Sequence, residues 1–223
     1  YATKMIGVSA MQTVSPRLKL KWLVSRFEDD EQEAYDIWGA YLFGERSFDK
    51  SKADFGTIIN PLGAGVFMNH ARNTLNIANW NIAHKGYFTF KQHALQWGVS
   101  ADRTIIHDKL NEWEAQDSAG YNLPYNSDQL LLDRVVRSAA DLTVNKISGY
   151  IQDNILFGKS SDFNLQAGVR FNYNSLSKEF IVSPRAQIAW VPGERKNWAL
   201  KLAAGAYDQP PFYRELRKYD GTL

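Results

Sequence analysis

The sequence predicts an all-β chain that folds as an antiparallel up-and-down transmembrane β-barrel, and three observations lead to that class. Apolar and polar residues alternate strictly in several segments, with the two-residue period of a strand. Short and long connections between these segments follow one another in turn. Aromatic residues gather towards the segment ends, as they do in the aromatic girdles of membrane barrels.

The clearest strand is Phe163–Tyr173, in which every odd position is apolar and every even position is polar or Gly. A helix would spread the same residues around its whole circumference. The same alternation, weaker in places, predicts further strands at Ile6–Ala10, Leu18–Val24, Ala78–Ile82, His93–His107, Ile147–Phe157, Arg185–Pro192 and Trp198–Ala206. The pattern therefore predicts about eight strands.

The connections between these strands fall into two classes. The sequence predicts short turns at Val14–Arg17, Lys85–Gln92, Gly158–Asp162 and Pro192–Asn197. Longer links are expected at Asp29–Asn73, Lys109–Arg137 and Asn174–Glu179, with a tail from Asp208. In an up-and-down meander, this alternation places every short turn at one end of the sheet and every long loop at the other.

Strand length and the polar face favour a membrane barrel over a soluble sheet. Several strands run to roughly 11–15 residues, whereas strands in soluble sandwiches are usually about 5–6 residues long. Their polar faces carry Arg, Gln, Asn and Asp beside Gly, as a water-filled lumen would. Packing of a soluble core is the alternative, because Trp and Tyr are also good strand formers.

Composition bounds the remaining function classes. The 223 residues carry a net charge of +2, which gives no support for a nucleic-acid partner. The absence of Cys excludes disulfides, thiolate metal sites and cysteine catalysis. The longest uncharged run, Phe55–Ala71, is interrupted by Pro and Gly and is too short for a transmembrane helix. No signal peptide is evident and the chain opens on Tyr1, so we expect a fragment or a processed product.

Four consecutive segments resemble one known family. They read ISGYIQDNILF at 147–157, FNLQAGVRFNYNS at 163–175, VSPRAQIAWVP at 182–192 and LKLAAGAYDQPPFYREL at 200–216. In order and spacing these are similar to the C-terminal half of the barrel in TonB-dependent outer-membrane receptors of the Bacteroidota type. Residues 93–120 also resemble that family, and the likeness is weaker before them.

The resemblance implies an outer-membrane receptor that binds a nutrient at its outer loops and imports it through a barrel of about 22 strands. It also implies contact with outer-membrane lipid, with TonB through a plug domain, and with a surface lipoprotein. Spread over 22 strands, 223 residues leave only about ten per strand, so we expect residues 1–223 to form a partial barrel domain. We find no segment like a plug, and the nutrient ligand stays unknown.

Two other classes remain open on the residues alone. One is a complete small outer-membrane barrel of about eight strands, acting as an adhesin or a structural protein. The other is a soluble lipocalin-like binding protein.

Several residues are candidates for a binding role. The acidic stretch Glu28–Glu33, at the head of a predicted loop, could bind Ca²⁺ or a cationic substrate, although a solvated loop is the simpler interpretation. Tyr35–Phe43 could form a ligand-capturing hairpin arm or continue the strand. Arg170 and Arg185 lie on predicted lumen faces and could contact a plug. Asp208–Arg214 should end a strand at its Pro-Pro pair, with Tyr213 or Arg214 available to face a substrate.

Nothing in the sequence predicts an enzyme or a cofactor. His70, His84, His93 and His107 are scattered, and although His84 and His93 flank a short turn, no third metal ligand is evident. There is no G-x-S-x-G nucleophile motif, and Gly63–Gly65 lacks the Lys and helix of a phosphate loop. We therefore expect no catalytic, cofactor-binding or metal-binding residues.

Overall fold

The computed structural model describes residues 1–117, 119, 132–158, 162–192 and 198–222. It contains eight strands and one short 3-10 helix (Tyr213–Leu216) among these residues. The strands are β1 (Ala2–Ser15), β2 (Leu18–Arg46), β3 (Ile58–Phe90), β4 (His93–Gln116), β5 (Leu132–Phe157), β6 (Phe163–Asn174), β7 (Glu179–Trp190) and β8 (Leu200–Gly205). No helix in the described part of the chain has the length and hydropathy to cross a membrane.

All eight strands form one antiparallel sheet in the order β1-β2-β3-β4-β5-β6-β7-β8. Each strand pairs with its neighbours in the chain, which confirms the predicted up-and-down meander and the number of strands. β1 and β8 are edge strands, so the sheet is open within the described residues.

Strands β1 to β5 are much longer than the predicted alternation suggested, whereas β8 is shorter than the predicted Trp198–Ala206. The predicted loop Asp29–Asn73 is wrong over most of its length, because β2 continues to Arg46, β3 begins at Ile58, and only residues 47–57 connect them. The predicted link Lys109–Arg137 is likewise shortened at both ends by β4 and β5, and residues 118 and 120–131 of it lie outside the described residues. The reason is physical: in these extensions apolar and polar residues occur on both faces, as at residues 35–43 and 58–68, so no two-residue hydrophobic alternation marks the strand although the backbone is paired.

The predicted turns keep their places. Residues 16–17 and 91–92 form two-residue turns at one end of the sheet, and residues 175–178 form a four-residue turn at the other. Turn 91–92 is shorter than the predicted Lys85–Gln92, since β3 continues to Phe90. Most of the Pro192–Asn197 turn lies outside the described residues. β7 begins at Glu179, six residues before the predicted Arg185.

Cross-strand glycines support aromatic rings on both faces of the sheet. A Cβ added to Gly149 would lie 2.2 Å from the Phe171 ring on one face, and one added to Gly98 would lie 2.5 Å from the Tyr150 ring on the other. Each ring therefore covers a glycine on the neighbouring strand, an arrangement that helps to fix the strand register.

Candidate functional site

The two faces of the sheet are distinguished by a cavity on one of them. Phe27 on β2 and Arg185 on β7 both line this cavity, so the sheet curls around it. We call the cavity side the inner face and the opposite side the outer face. Because side chains alternate along a strand, the cross-strand pairs assign each strand residue to one face.

Burial on the two faces is the reverse of that in a soluble protein. The buried polar residues of the strands all lie on the inner face, namely Asn73, Asp108, Asn172, Asn174 and Ser183. Large apolar residues on the outer face are exposed, for example Ile82 at 59%, Val182 at 50% and Ile151 at 49%. No large side chain is fully buried among the described residues. A soluble domain buries its large apolar residues first.

The apolar residues of the outer face form a continuous band across the strands, which we call the outer band; most of them are exposed, and Leu20, Trp97 and Val169 are half-buried. It comprises Val8, Leu20, Trp22, Val24, Ile82, Trp97, Val99, Ile147, Ile151, Val169, Val182, Ile188 and Leu202. Beyond it the outer face becomes charged, starting with Arg26, whose guanidinium lies 4.8 Å from the centre of the Trp80 ring.

Aromatic residues border the outer band on both sides. At the short-turn end, Phe163 stacks on Phe157 at 5.2 Å and on Trp190 at 6.0 Å between ring centres. At the other end, Phe180 stacks on Phe171 at 6.3 Å. Along β7, Phe180 and Trp190 are ten residues apart. At about 3.4 Å per residue the two rims lie about 34 Å apart along the strand, which at the tilt of about 45° found in membrane barrels would correspond to an apolar height of about 24 Å.

The chain after β8 folds back over the inner face. Ala206 N donates to the Pro184 carbonyl at 3.0 Å, so that carbonyl faces β8. The N and C=O of a strand residue point to the same side, and Pro184 has no N–H to donate in return. The ladder therefore stops beside Pro184, and β8 ends at Gly205. We call the chain from Tyr207 to Thr222 the inner segment.

Asp108 on β4 anchors the inner segment. Its carboxylate is 5% exposed and accepts hydrogen bonds from the Tyr213 hydroxyl at 3.0 Å and from the Arg217 guanidinium. The Arg214 Nε donates to the Tyr213 hydroxyl at 3.1 Å. Burial raises the pKa of Tyr213, and the hydrogen bond to Asp108 raises it further. The hydroxyl therefore stays protonated and donates to the carboxylate.

The cavity between the inner segment and the sheet has a volume of about 920 Å³. The sheet contributes amides, hydroxyls and cations, and the inner segment contributes aromatic rings and its Pro-Pro pair. This size and this mixture of apolar and polar lining are typical of a small-molecule site.

Charge is segregated along the inner face. Its carboxylates concentrate on the extended parts of β2 and β4, at Asp29, Glu31, Glu33, Asp108, Glu112 and Glu114. Its cations concentrate nearer the short turns, at Lys19, Lys21, Lys85, Lys146, Arg170, Arg185 and Lys201.

Comparisons with known proteins were made for the whole chain. No protein-family model matches it, and no curated protein matches it either. The resemblance to TonB-dependent receptors therefore stays an expectation that rests on the four sequence motifs.

The structure separates the acidic stretch Glu28–Glu33 instead of gathering it. These residues lie inside β2, not in a loop, so that Glu28 and Asp30 occupy the outer face while Asp29 and Glu31 occupy the inner face. Asp29 accepts from Thr3 at 2.6 Å and Asp30 accepts from Asn76 at 2.5 Å. Carboxylates on opposite faces cannot converge on one cation, and the expected loop position was wrong.

The remaining candidate residues lie on β2 or at the cavity. Tyr35–Phe43 continues β2, paired with β3 from Ala71 to Gly63. Arg170 and Arg185 both line the cavity, on the face that their alternation predicted. The Asp208–Arg214 motif follows a strand, but β8 already ends at Gly205, so the expectation that the Pro-Pro pair ends the strand was wrong. Residues from Asp208 to Tyr213 line the cavity.

The four histidines do not form a site. His84 lies opposite Val99 and His93 opposite Phe90, so they are separated by several residues along the hairpin. The Nδ1 atoms of His70, His93 and His107 each contact a different aspartate, at 2.5–2.6 Å. The described residues contain no group of three or more potential metal ligands.

Sequence reasoning missed Asp108 and Arg217. Asp108 is one of many polar residues in an alternating strand, and its partner lies 109 positions away in the chain. No spacing signal exists for such a pair. Its even-numbered position, four residues after Thr104, did place Asp108 on the polar face of β4, which was the only clue available.

Proposed function

We propose that this chain is part of the wall of a transmembrane β-barrel in a Gram-negative outer membrane, and that the barrel is a receptor for import of a nutrient. The observation that carries the proposal is the outer band. Exposed apolar residues about 24 Å in height between two aromatic rims match the lipid-facing surface of such barrels. The four motifs similar to TonB-dependent receptors support the import role.

The open edges of the sheet support a partial wall. Within a bilayer, every backbone N–H and C=O needs a partner, and a free strand edge is excluded from lipid. β1 and β8 have free edges among the described residues, so the proposed wall requires further strands to pair with both edges. An adhesin built from these eight strands alone would instead require β1 to pair with β8.

The inner face supports transport over a purely structural role. It carries a cavity with a mixed polar and apolar lining and many charged residues, which suit a water-filled passage better than a filled barrel core. The paired extension of β2 and β3 reaches from Arg26 to Arg46, about 68 Å at 3.4 Å per residue. Such an arm stands well outside the outer band and offers a large surface in water.

The membrane assignment is tested with two tryptophans on one face of one strand. Trp97 lies in the outer band and Trp113 lies sixteen residues further along β4, also on the outer face. Each is kept as the single Trp, with the other six replaced by Phe, and the full chain is reconstituted in vesicles containing brominated phospholipid. We expect strong quenching of Trp97 and little quenching of Trp113. Equal quenching of both, or quenching of neither, would overturn the membrane wall.

The import role needs a separate measurement in cells. We expect deletion of the gene to remove growth on one scarce nutrient, and the same nutrient to be bound but not accumulated in cells without TonB. Unchanged growth on every nutrient tested, with the protein present in the outer membrane of the parent strain, would refute import and leave a structural barrel.

A further inference from the structure

Two arginines in the cavity lie side by side with no acidic partner. Arg170 on β6 pairs across the sheet with Ser183, and Arg185 is two residues further along β7 on the same face. Diagonal neighbours of this kind have Cα atoms about 7–8 Å apart, within reach of each other's long side chains. No ion pair joins either arginine to a carboxylate in the described parts of the chain.

Glycines keep the space beside Arg185 open. Gly168 on β6 and Gly205 on β8 are its partners on the two neighbouring strands. A Cβ on Gly205 would lie 3.0 Å from the Arg185 Cβ, so a larger residue there would crowd the arginine stem. The Arg185 guanidinium lies 5.9 Å from the centre of the Tyr207 ring, which positions it under the inner segment.

The rest of the lining supplies neutral hydrogen-bonding groups and a small charge excess. Lys146 is a third cation, while Asp102 and Asp208 are the two carboxylates of the lining. The Asp102 carboxylate already accepts a hydrogen bond from the Asn81 amide at 2.7 Å. Three cations thus outweigh two carboxylates by one charge, which suits one anionic group on a ligand better than a polyanion.

Two like charges held side by side are unfavourable unless an anion lies between them. Guanidinium groups bind the oxygens of carboxylate, sulfate and phosphate through paired N–H donors. Ser183 lies directly opposite Arg170 and adds a hydroxyl donor at the same place. Amide groups of Asn172 and Asn174 continue the polar lining along β6.

We propose that the cavity binds a hydrophilic solute through one oxyanion group, which Arg170 and Arg185 hold together. The aromatic rings of Tyr207 and Phe212 cover the neutral part of the solute from the inner segment. The proposal rests on the proposed import function for the path by which a solute reaches the cavity, and it adds the chemical class of that solute.

The test measures equilibrium binding to the full chain in detergent micelles. The probe is radiolabelled glucuronate, with glucose as the neutral counterpart and inorganic sulfate and phosphate as competitors. We expect saturable binding of glucuronate and none of glucose. Acetate is a third competitor. Comparing how well acetate, sulfate and phosphate displace glucuronate identifies the oxyanion that the site prefers.

Matched variants connect the binding to the two arginines. We expect Arg170→Gln and Arg185→Gln each to weaken glucuronate binding about tenfold or more, since each removes charged hydrogen bonds. Arg185→Lys should fall between Arg185→Gln and the unchanged protein. Lys21→Gln removes an inner-face cation that does not line the cavity, and it should leave binding unchanged.

Two outcomes would overturn the proposal. One is the absence of saturable binding of all three probes: radiolabelled glucuronate, radiolabelled sulfate and radiolabelled phosphate. The other is binding that falls equally in Lys21→Gln and Arg185→Gln, which would indicate a diffuse cationic surface. Quenching of Trp97 by brominated lipid reports the membrane wall independently, so failure of the oxyanion site and failure of the proposed function are distinguishable.

Discussion

A charge introduced into the outer band should destabilise the barrel, and Ile151→Arg is the sharpest case. Ile151 lies on the outer face of β5 and pairs with Val169 of β6. Val169 is six residues beyond Phe163 at one rim and four residues before Tyr173 near the other. At about 3.4 Å per residue and a tilt of about 45°, the site lies about 14 Å and 10 Å from the two rims, near the centre of the bilayer.

An arginine at that depth should reduce the free energy of unfolding by about 2–4 kcal/mol, the cost measured for basic residues at the midplane of membrane barrels. Gln152→Arg is the matched control, because Gln152 is the next residue on β5 and faces inward beside Gln96. It should cost at most about 1 kcal/mol, since a charge on a wet face keeps its hydration.

The assay is equilibrium unfolding by urea of the full chain folded in phospholipid vesicles, followed by tryptophan fluorescence. A third variant, Tyr173→Arg, places the same charge at the rim and should cost about 0–1 kcal/mol. Equal costs for Ile151→Arg and Gln152→Arg would refute the assignment of the two faces. A loss in Ile151→Arg no greater than in Tyr173→Arg would refute the depth calculation.

Three further outcomes are expected. Asp108→Asn leaves the buried Arg217 guanidinium without its carboxylate, so the inner segment should detach and be cleaved by protease at least tenfold faster, while the sheet stays folded. Gly149→Val forces a side chain into the ring that covers it and should cost about 1–3 kcal/mol in urea unfolding. Arg72 is the main cause that holds the pKa of Asp36 below its usual range, so Arg72→Ala should raise that pKa in an NMR titration.

Each of these three predictions has a control or an outcome that would contradict it. For the inner segment, unchanged protease sensitivity in Asp108→Asn would show that other contacts hold it. Gly7→Ala, whose added Cβ would lie 3.3 Å from the Ser25 Cβ, should cost less than Gly149→Val. For Asp36, a lowered folded pKa stabilises the hairpin at neutral pH and is lost as acid protonates the carboxylate. In Arg72→Ala that loss should be smaller and should end at a higher pH, and a loss of unchanged size would contradict the assigned cause.

The strand pattern could be predicted where one face is apolar and not where both faces are wet. Phe163–Tyr173 alternates through its whole length, and β6 occupies nearly the same residues. The parts of β2 and β3 that extend beyond the outer band carry polar residues on both faces. The two-residue hydrophobic alternation therefore disappears there, while the backbone stays paired. Their strand character comes from the neighbouring strand, which the local sequence does not encode.

The candidate site divides in the same way. Arg170 and Arg185 could be placed on one face because each lies in an alternating strand. Asp108 and Arg217 could not be paired, since only the return of the inner segment across the sheet brings them together. The acidic run Glu28–Glu33 was misplaced because charge in a loop and charge in a wet strand look alike along the chain.

The sequence by itself determined the all-β class, the meander of eight strands and the division of each alternating strand into an apolar and a polar face, because these follow from local periodicity. The tertiary structure decided the rest. It set the true strand lengths, because hydrogen bonds to a neighbour hold a strand where hydrophobicity gives no signal. It also ended β8 beside Pro184, folded the inner segment over the sheet and enclosed the cavity. These features depend on contacts between residues far apart in the chain.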